Sequence, residues 1–172
     1  WFYVDPSVYP ADGADSKITF KKASDDSVVA EYRVILDPAP VSISVSNMYS
    51  PLTFDQFARI KNTYMGYQEN EEGSVHGEIS GTKNVRVVAV ENVNGSCAEA
   101  SWVNLTVSPW DAEAGNIQTR EFGVSVEANS GAERSAVIFA LPETCADVAL
   151  SQLFDANGVK EEYAKYAVSL TQ

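Results

Sequence analysis

The chain reads as a mostly β protein built from antiparallel sandwich modules, and three features carry that reading. Apolar residues recur with a period of two along short segments, the mark of strands with one face on a core and one face wet. Clusters of Gly, Asn, Asp, Pro and Ser separate those segments at sandwich-like intervals. Two stretches, 1–36 and 102–141, also repeat one pattern. Each opens on a tryptophan (Trp1, Trp102), reaches Val-x-Pro (Val4 to Pro6, Val107 to Pro109) and passes an acidic, Gly/Ala-rich turn. Each then gives an alternating strand, a polar loop and a second strand. A period of about 100 residues is close to one sandwich domain. The expected organisation is two tandem modules, 1–80 and 81–172, with residues 17–36 and 121–141 as equivalent hairpins and Trp1 and Trp102 in comparable settings.

The elements follow in order. Ile18 and Phe20 alternate with Lys17, Thr19 and Lys21; Val28 to Leu36 alternates in the same way; Val41, Ile43 and Val45 alternate with Ser42, Ser44 and Ser46. Later strands are expected over 85–90, 105–107, 122–126, 136–141 and 166–170. Two segments break the pattern. In LTFDQFARIK (52–61), Phe54, Phe57 and Ile60 have roughly helical spacing, and Thr53 with Gln56 has capping-box spacing. This predicts a short helix with Phe54 and Phe57 buried. In PETCADVALSQLFDANG (142–158), Pro142 suits a helix start and Asn157-Gly158 a stop. This predicts a helical insert near 143–156; a long strand over 147–154 is the alternative.

Composition narrows the function classes. The 172 residues are 45% hydrophobic and 21% charged, so a core can form and general disorder is not indicated. The formal net charge of -12 repels phosphate backbones and anionic lipid, so neither nucleic acid nor an anionic membrane surface is an expected partner. No run approaches the roughly 20 apolar residues of a membrane helix. A chain that starts WFYV reads as a mature or trimmed piece, with a targeting or lipid-anchor segment removed. Cys97 and Cys145 are the two cysteines and lack metal or CxxC spacing. They are either two thiols or one disulfide tying the start of the second module to its late loop.

Little in the chain suggests catalysis. The single histidine, His76, has no nucleophile and carboxylate at triad spacing, and zinc is unsupported. Carboxylate pairs for a glycosidase occur at Asp12/Asp15, Asp25/Asp26, Glu69/Glu71/Glu72 and Glu161/Glu162, all in turn-like or acidic stretches where solvated charge is the plainer reading. DANGVKEE (155–162) starts like a calcium loop but then departs from it, so Asp155 and Asn157 read as turn formers. No cofactor or metal is expected. Aromatic residues remain as ligand-binding candidates: Trp110, between Pro109 and an acidic turn, and Tyr64 and Tyr67, which flank Gly66. Sugar rings stack on such side chains; packing under a loop is the competing reading. Trp1 and Trp102 read as core anchors.

The second half resembles the BACON-type domains of Bacteroidetes surface proteins. The resemblance rests on Trp102, Val107-Ser108-Pro109, VEANSGAERSAVIFAL (126–141) and the closing VSLTQ (168–172), with Asn129, Arg134 and Gln172 at the family's positions. The insert near 143–156 and EEYAKY (161–166) depart from the short form and look more like larger Bacteroides variants of unknown function. The resemblance implies an immunoglobulin-like β-sandwich on an exported protein, periplasmic or on the outer-membrane surface, held through a removed signal or lipoprotein anchor. It implies a non-catalytic spacer or adhesion module in glycan handling, with glycans or mucin and other surface-protein domains as partners. A carbohydrate-binding module and a fragment of a glycan-active enzyme are the alternatives. Asp26-Ser27-Val28 matches the short O-glycosylation sequence that the resemblance brings with it, at Ser27.

Overall fold

The computed structural model describes residues 13–36, 41–45, 52–64, 67–71 and 74–172, and for 62–64 and 67–71 the backbone. The strands in chain order are β1 (Ala14–Lys21), β2 (Val28–Leu36), β3 (Ser42–Val45), β4 (Leu52–Thr53), β5 (Ile60–Tyr64), β6 (Tyr67–Glu71), β7 (Val75–Gly81), β8 (Arg86–Val93), β9 (Ser96–Glu99) and β10 (Val103–Val107). They continue with β11 (Gln118–Val126), β12 (Ser135–Leu141), β13 (Phe154–Asp155), β14 (Gly158–Val159), the one-turn helix α1 (Glu161–Ala164) and β15 (Ala167–Thr171). The protein is mostly β, as the period-two pattern predicts.

Two sheets form a sandwich, ordered β10-β11-β7-β3 and β4-β15-β12-β8-β9. Neighbours are antiparallel except β4, which runs parallel to β15 at Leu52↔Leu170. In chain order these nine strands take the places A, A′, B, C, C′, D, E, F and G of an immunoglobulin-like fold, with A-B-E-D facing A′-G-F-C-C′. Alternation sets the register. Val75, Gly77 and Ile79 point inward and His76 and Glu78 outward; Phe122, Val124 and Val126 meet Ile138, Ala140 and Leu170 across the core. Phe122, Val124 and Ile138 are each at most 1% exposed, and each such side chain contributes roughly 1.5–3 kcal/mol of burial.

The pairing revises the expected organisation. The boundary near residue 80 falls inside β7, which is bonded to β11 on one side and β3 on the other. Residues 42–45 and 52–53 also join the sheets formed by strands after 81. Residues 17–36 do form a hairpin, β1–β2, with Ile18 opposite Tyr32 and Phe20 opposite Ala30. Residues 121–141 do not, because β11 and β12 lie in opposite sheets. A period-two pattern fixes which residues share a face but not which neighbour pairs with which, so two stretches of like pattern take different topologies. Trp1 lies outside the described residues.

The helix expected over 52–61 does not form, and the helical insert expected near 143–156 is reduced to two short 3₁₀ helices. Over 52–60 the chain is β4, a turn and the start of β5. The Asp55 carboxylate accepts the backbone N–H groups of Phe57 and Arg59 (2.9 Å each), and Ala58 takes a left-handed φ of 65°. The aspartate thus offers the backbone a partner that competes with the helix. Phe54 is buried, but Phe57 is 63% exposed, with the Arg59 guanidinium over its ring. Over 142–158 there are two short 3₁₀ turns, at 143–145 and 150–153, and then the β13–β14 hairpin. Ala149, on the expected helical stripe, is extended (ψ 140°). This segment lies against the outer face of the second sheet, where Leu153, Phe154, Val148 and Tyr163 cover Val90, Phe139 and Leu141. The apolar residues read as a helical stripe therefore build a second small core. β12 is buried on both faces as a result.

Candidate functional site

The motif residues at the end of the chain form a lock. The Arg134 guanidinium lies 4.2 Å from the Trp102 ring centre. It donates through Nε (2.9 Å) and Nη2 (2.7 Å) to Gln172 Oε1, and through Nη2 to the Glu127 carbonyl (2.6 Å). Gln172 Nε2 donates in turn to the carbonyls of Asp55 (3.0 Å) and Glu127 (2.9 Å). Asn129 shapes the neighbouring turn by accepting from Gly131 N–H and donating to the Ala132 carbonyl. Trp102 is 5% exposed, with Nε1 donating to Glu91 (3.0 Å). Trp102 is a core anchor, and Asn129, Arg134 and Gln172 join the 127–134 connection, the 54–59 turn and the end of β15. They hold structure together.

Trp110 lies at the opposite end of the sandwich, in the loop from β10 to β11. Gln118, the first residue of β11, braces this loop. Its Nε2 donates to the carbonyls of Asp111 and Gly115, and its Oε1 accepts from Asp111 N–H (3.2 Å). The Asp111 carboxylate accepts from Glu113 N–H (2.9 Å), and Gly115 takes the positive φ (92°) that the turn requires. Trp110 is half-buried and carries the Arg120 guanidinium 5.5 Å from its ring centre. Beside it an open groove of about 520 Å³ is lined by Ser108, Pro109, Asp111, Thr119, Arg120 and Glu121. A second depression of about 320 Å³, lined by Ser44, His76, Glu78 and Glu121, crosses the outer face of the first sheet. Glu121 lines both, and it stands directly opposite Glu78 across the β11–β7 pair.

The other expected site residues are dispersed. Tyr64 and Tyr67 are register partners at the tip of the β5–β6 hairpin, and their side chains lie outside the described residues. That hairpin starts at Ile60, beside the 127–134 connection to which Asn129 N–H and the Gln56 carbonyl bind it, so it is rooted at the end away from Trp110. Ser27 is exposed in the β1–β2 turn, its hydroxyl donating to Asp25 (2.6 Å). Of the two readings of Cys97 and Cys145, the structure shows the two thiols: both are free and half-buried on the rim of the second core. Register explains why. Cys97 is opposite Asn92, while the Cys145 segment is held at the Arg86 end of β8 (Arg86 Nη1 to the Ala146 carbonyl, 2.9 Å). Those two points are about 20 Å apart along the strand at 3.3 Å per residue.

His76 is exposed, and its Nε2 lies 3.1 Å from Ser74 Oγ, a neighbour two residues away that triad spacing did not bring to notice. No carboxylate hydrogen-bonds the ring's other nitrogen among the described residues. Among the described residues three carboxyls are displaced, all downward. Arg33 lowers Asp15, and the Ser27 hydroxyl and N–H lower Asp25. Burial pushes Asp55 up, but the N–H groups of Arg59 and Phe57 and the Arg59 side chain outweigh it. A general acid at neutral pH needs the opposite displacement. Asp155 is a turn former, its carboxylate accepting from Asn157 N–H (2.7 Å). Among the described residues no group of three His, Cys, Asp or Glu side chains could hold a metal ion, and no helix is long and apolar enough to cross a membrane. No family model matches the chain, and no curated protein or solved structure does either.

Proposed function

We propose that this chain is a non-catalytic sandwich module of an exported surface or periplasmic protein, serving as a spacer or adhesion domain in glycan handling. The observation that carries this reading is the use to which the motif residues are put. Trp102, Arg134 and Gln172, the positions shared with BACON-type domains, close one end of an immunoglobulin-like sandwich. Of the carboxylate pairs read from the sequence, Asp25 and Asp26 are exposed in the β1–β2 turn and Glu161 and Glu162 are exposed on α1. Placement outside the cytoplasm rests on the same resemblance, as do its partners, glycans or mucin and other domains of the same or neighbouring surface proteins.

A second reading, a carbohydrate-binding module, has one observation in its favour. Trp110 sits half-open on a braced loop at the edge of a groove. Glycan-array screening with calorimetric titration separates the two readings: saturable binding selects the second, and its absence leaves the first. Turnover of any glycan would select a third, an enzyme fragment.

A further inference from the structure

We infer that the β1–β2 hairpin is a self-association face, which packs against the same hairpin of a second copy of this chain. Register partners in an antiparallel pair share a face. At the turn end, one side of the hairpin presents Ile18 opposite Tyr32 and Phe20 opposite Ala30. At the open end, the same side presents Ala14 opposite Leu36 and Ser16 opposite Val34. The other side, where Ile35 also lies, is charged and paired within itself: Arg33 with Asp15, and Lys17 with Glu31. The apolar side is bare. Phe20 is 46% and Tyr32 61% exposed, their rings meeting edge to face at 5.8 Å. Among the described residues none of the hairpin belongs to either core of the sandwich. A sheet that is apolar on one face is stable when that face is buried on another element.

Charge and shape identify the occupant as a second copy. The chain has a formal charge of -12, yet residues 14–36 hold four basic side chains (Lys17, Lys21, Lys22, Arg33) and four acidic ones (Asp15, Asp25, Asp26, Glu31). The hairpin is therefore neutral and the rest of the chain carries the whole excess, so two hairpins meet without the repulsion that two sandwich bodies would feel. The shape is self-complementary. Large side chains crowd the turn end of the apolar face and small ones the open end. A two-fold axis between two such faces, running across the strands, lays β1 over β1 in reverse. Phe20 then faces Ala14 of the second copy, Ile18 faces Ser16, Tyr32 faces Val34 and Leu36 faces Ala30, so every large side chain meets a smaller one. An axis along the strands would instead put Ile18 over Tyr32. The face is roughly 23 Å long and 10 Å wide, a footprint of roughly 230 Å² against the roughly 800 Å² per partner of a stable complex. Association is therefore weak and reversible, and the hairpin of a lone chain stays exposed.

The test is analytical ultracentrifugation of the chain from about 10 μM to about 1 mM. Reductant keeps the free thiols of Cys97 and Cys145 from linking copies. The expected result is monomer at the low end, dimer at the high end, and amide exchange over 14–36 that slows as concentration rises. Tyr32→Lys should weaken association about tenfold or more, while Ile35→Lys, on the charged side, should leave it unchanged. Ala14→Phe should also weaken it, by setting two phenylalanines against each other. Ala14→Phe combined with Phe20→Ala should restore it, because large again meets small; this pair carries the test if Tyr32→Lys unfolds the hairpin. Monomer at every concentration would overturn the proposal, and 14–36 protected in that monomer would assign the face to another partner. A dimer indifferent to both Tyr32→Lys and Ala14→Phe would overturn it as well. Failure of the double variant to recover, or open assembly beyond the dimer, would overturn the two-fold arrangement.

Discussion

The Arg134 guanidinium stacks on Trp102 while its two nitrogens hold the Gln172 amide oxygen, so a cation–π contact and a forked hydrogen bond share one side chain. Gln172 is 8% exposed. Removing Arg134 would leave Gln172 Oε1 buried without its donors and uncover one face of Trp102. Arg134→Ala should therefore cost about 2–4 kcal/mol, from a hydrogen bond to a charged group and a partly desolvated cation–π contact together. Arg134→Lys should recover only part of this, since an ammonium cannot make the fork. Urea denaturation checks both, and a loss below about 0.5 kcal/mol for the alanine variant would remove the lock from the account.

Stability should be uneven along the chain. Among the described residues none of β1 or β2 belongs to either core, and Phe20, Val28, Val29, Tyr32 and Ile35 are all exposed. A two-stranded hairpin without a packed face is marginal in water. Amide hydrogen exchange should be fast over 14–36 and slowest in β7, β11 and β12, whose strands bury their neighbours. Protection of 14–36 equal to that of β12 would show that something covers the hairpin.

Asp55 makes stability fall in acid. Its side chain is 11% exposed and it accepts from two N–H groups and from Arg59, and the net effect is a pKa below 3.8. A carboxyl depressed in the folded state contributes stability above its unfolded pKa, and this is lost as pH falls through the folded value. Asp55→Asn should therefore be less stable than the parent at pH 7, with the gap closing below about pH 4. A gap that is constant with pH would show that the ionised form is not what holds the turn.

How far this fold can be read from sequence depends on the kind of signal. Alternation in 75–81 and 122–126 marks inward residues correctly, because burying one face of a strand needs period two. Pairing is a different matter. The likeness of 1–36 to 102–141 is real as a pattern, but nothing in a strand's own residues says that β11 turns to β7 and β12 to β8. The two helical readings fell short for different reasons, one polar and local, the other apolar and long-range. Asp55 draws N–H groups into a turn, and β12 presents Phe139 and Leu141 outward to collect the 148–163 segment. That Trp110 lies in a loop was legible from its flanking proline and acidic turn. Arg120 and the Glu78–Glu121 pair were not, since both depend on which strands are neighbours.

Thiol chemistry gives a direct check on register. With Cys97 and Cys145 at opposite ends of β8, titration of denatured, unreduced protein should count two thiols. A disulfide needs Cα atoms no more than roughly 7 Å apart. A count of zero in monomeric protein would mean that the β8–β9 pairing or the 143–146 turn is misplaced.

The Glu78–Glu121 pair carries the last prediction, because among the described residues it is the one place where two carboxylates stand opposite each other across neighbouring strands in an open depression. Retaining glycosidases use two carboxyls about 5–5.5 Å apart, one of which must stay protonated as the acid while the other attacks. Both side chains here are exposed to solvent on the outer face of the sheet, and an acid at neutral pH is usually kept protonated by burial. If the pair is an unrelieved like-charge contact, then Glu78→Gln and Glu121→Gln should each raise the urea midpoint slightly. Added salt should shrink the gain, because exposed charges are screened within about 10 Å at 0.1 M. Neither the parent nor the variants should release reducing ends from polysaccharide or glycopeptide. Sugar release by the parent that disappears in either variant would make this pair catalytic and would replace the module reading with that of an enzyme.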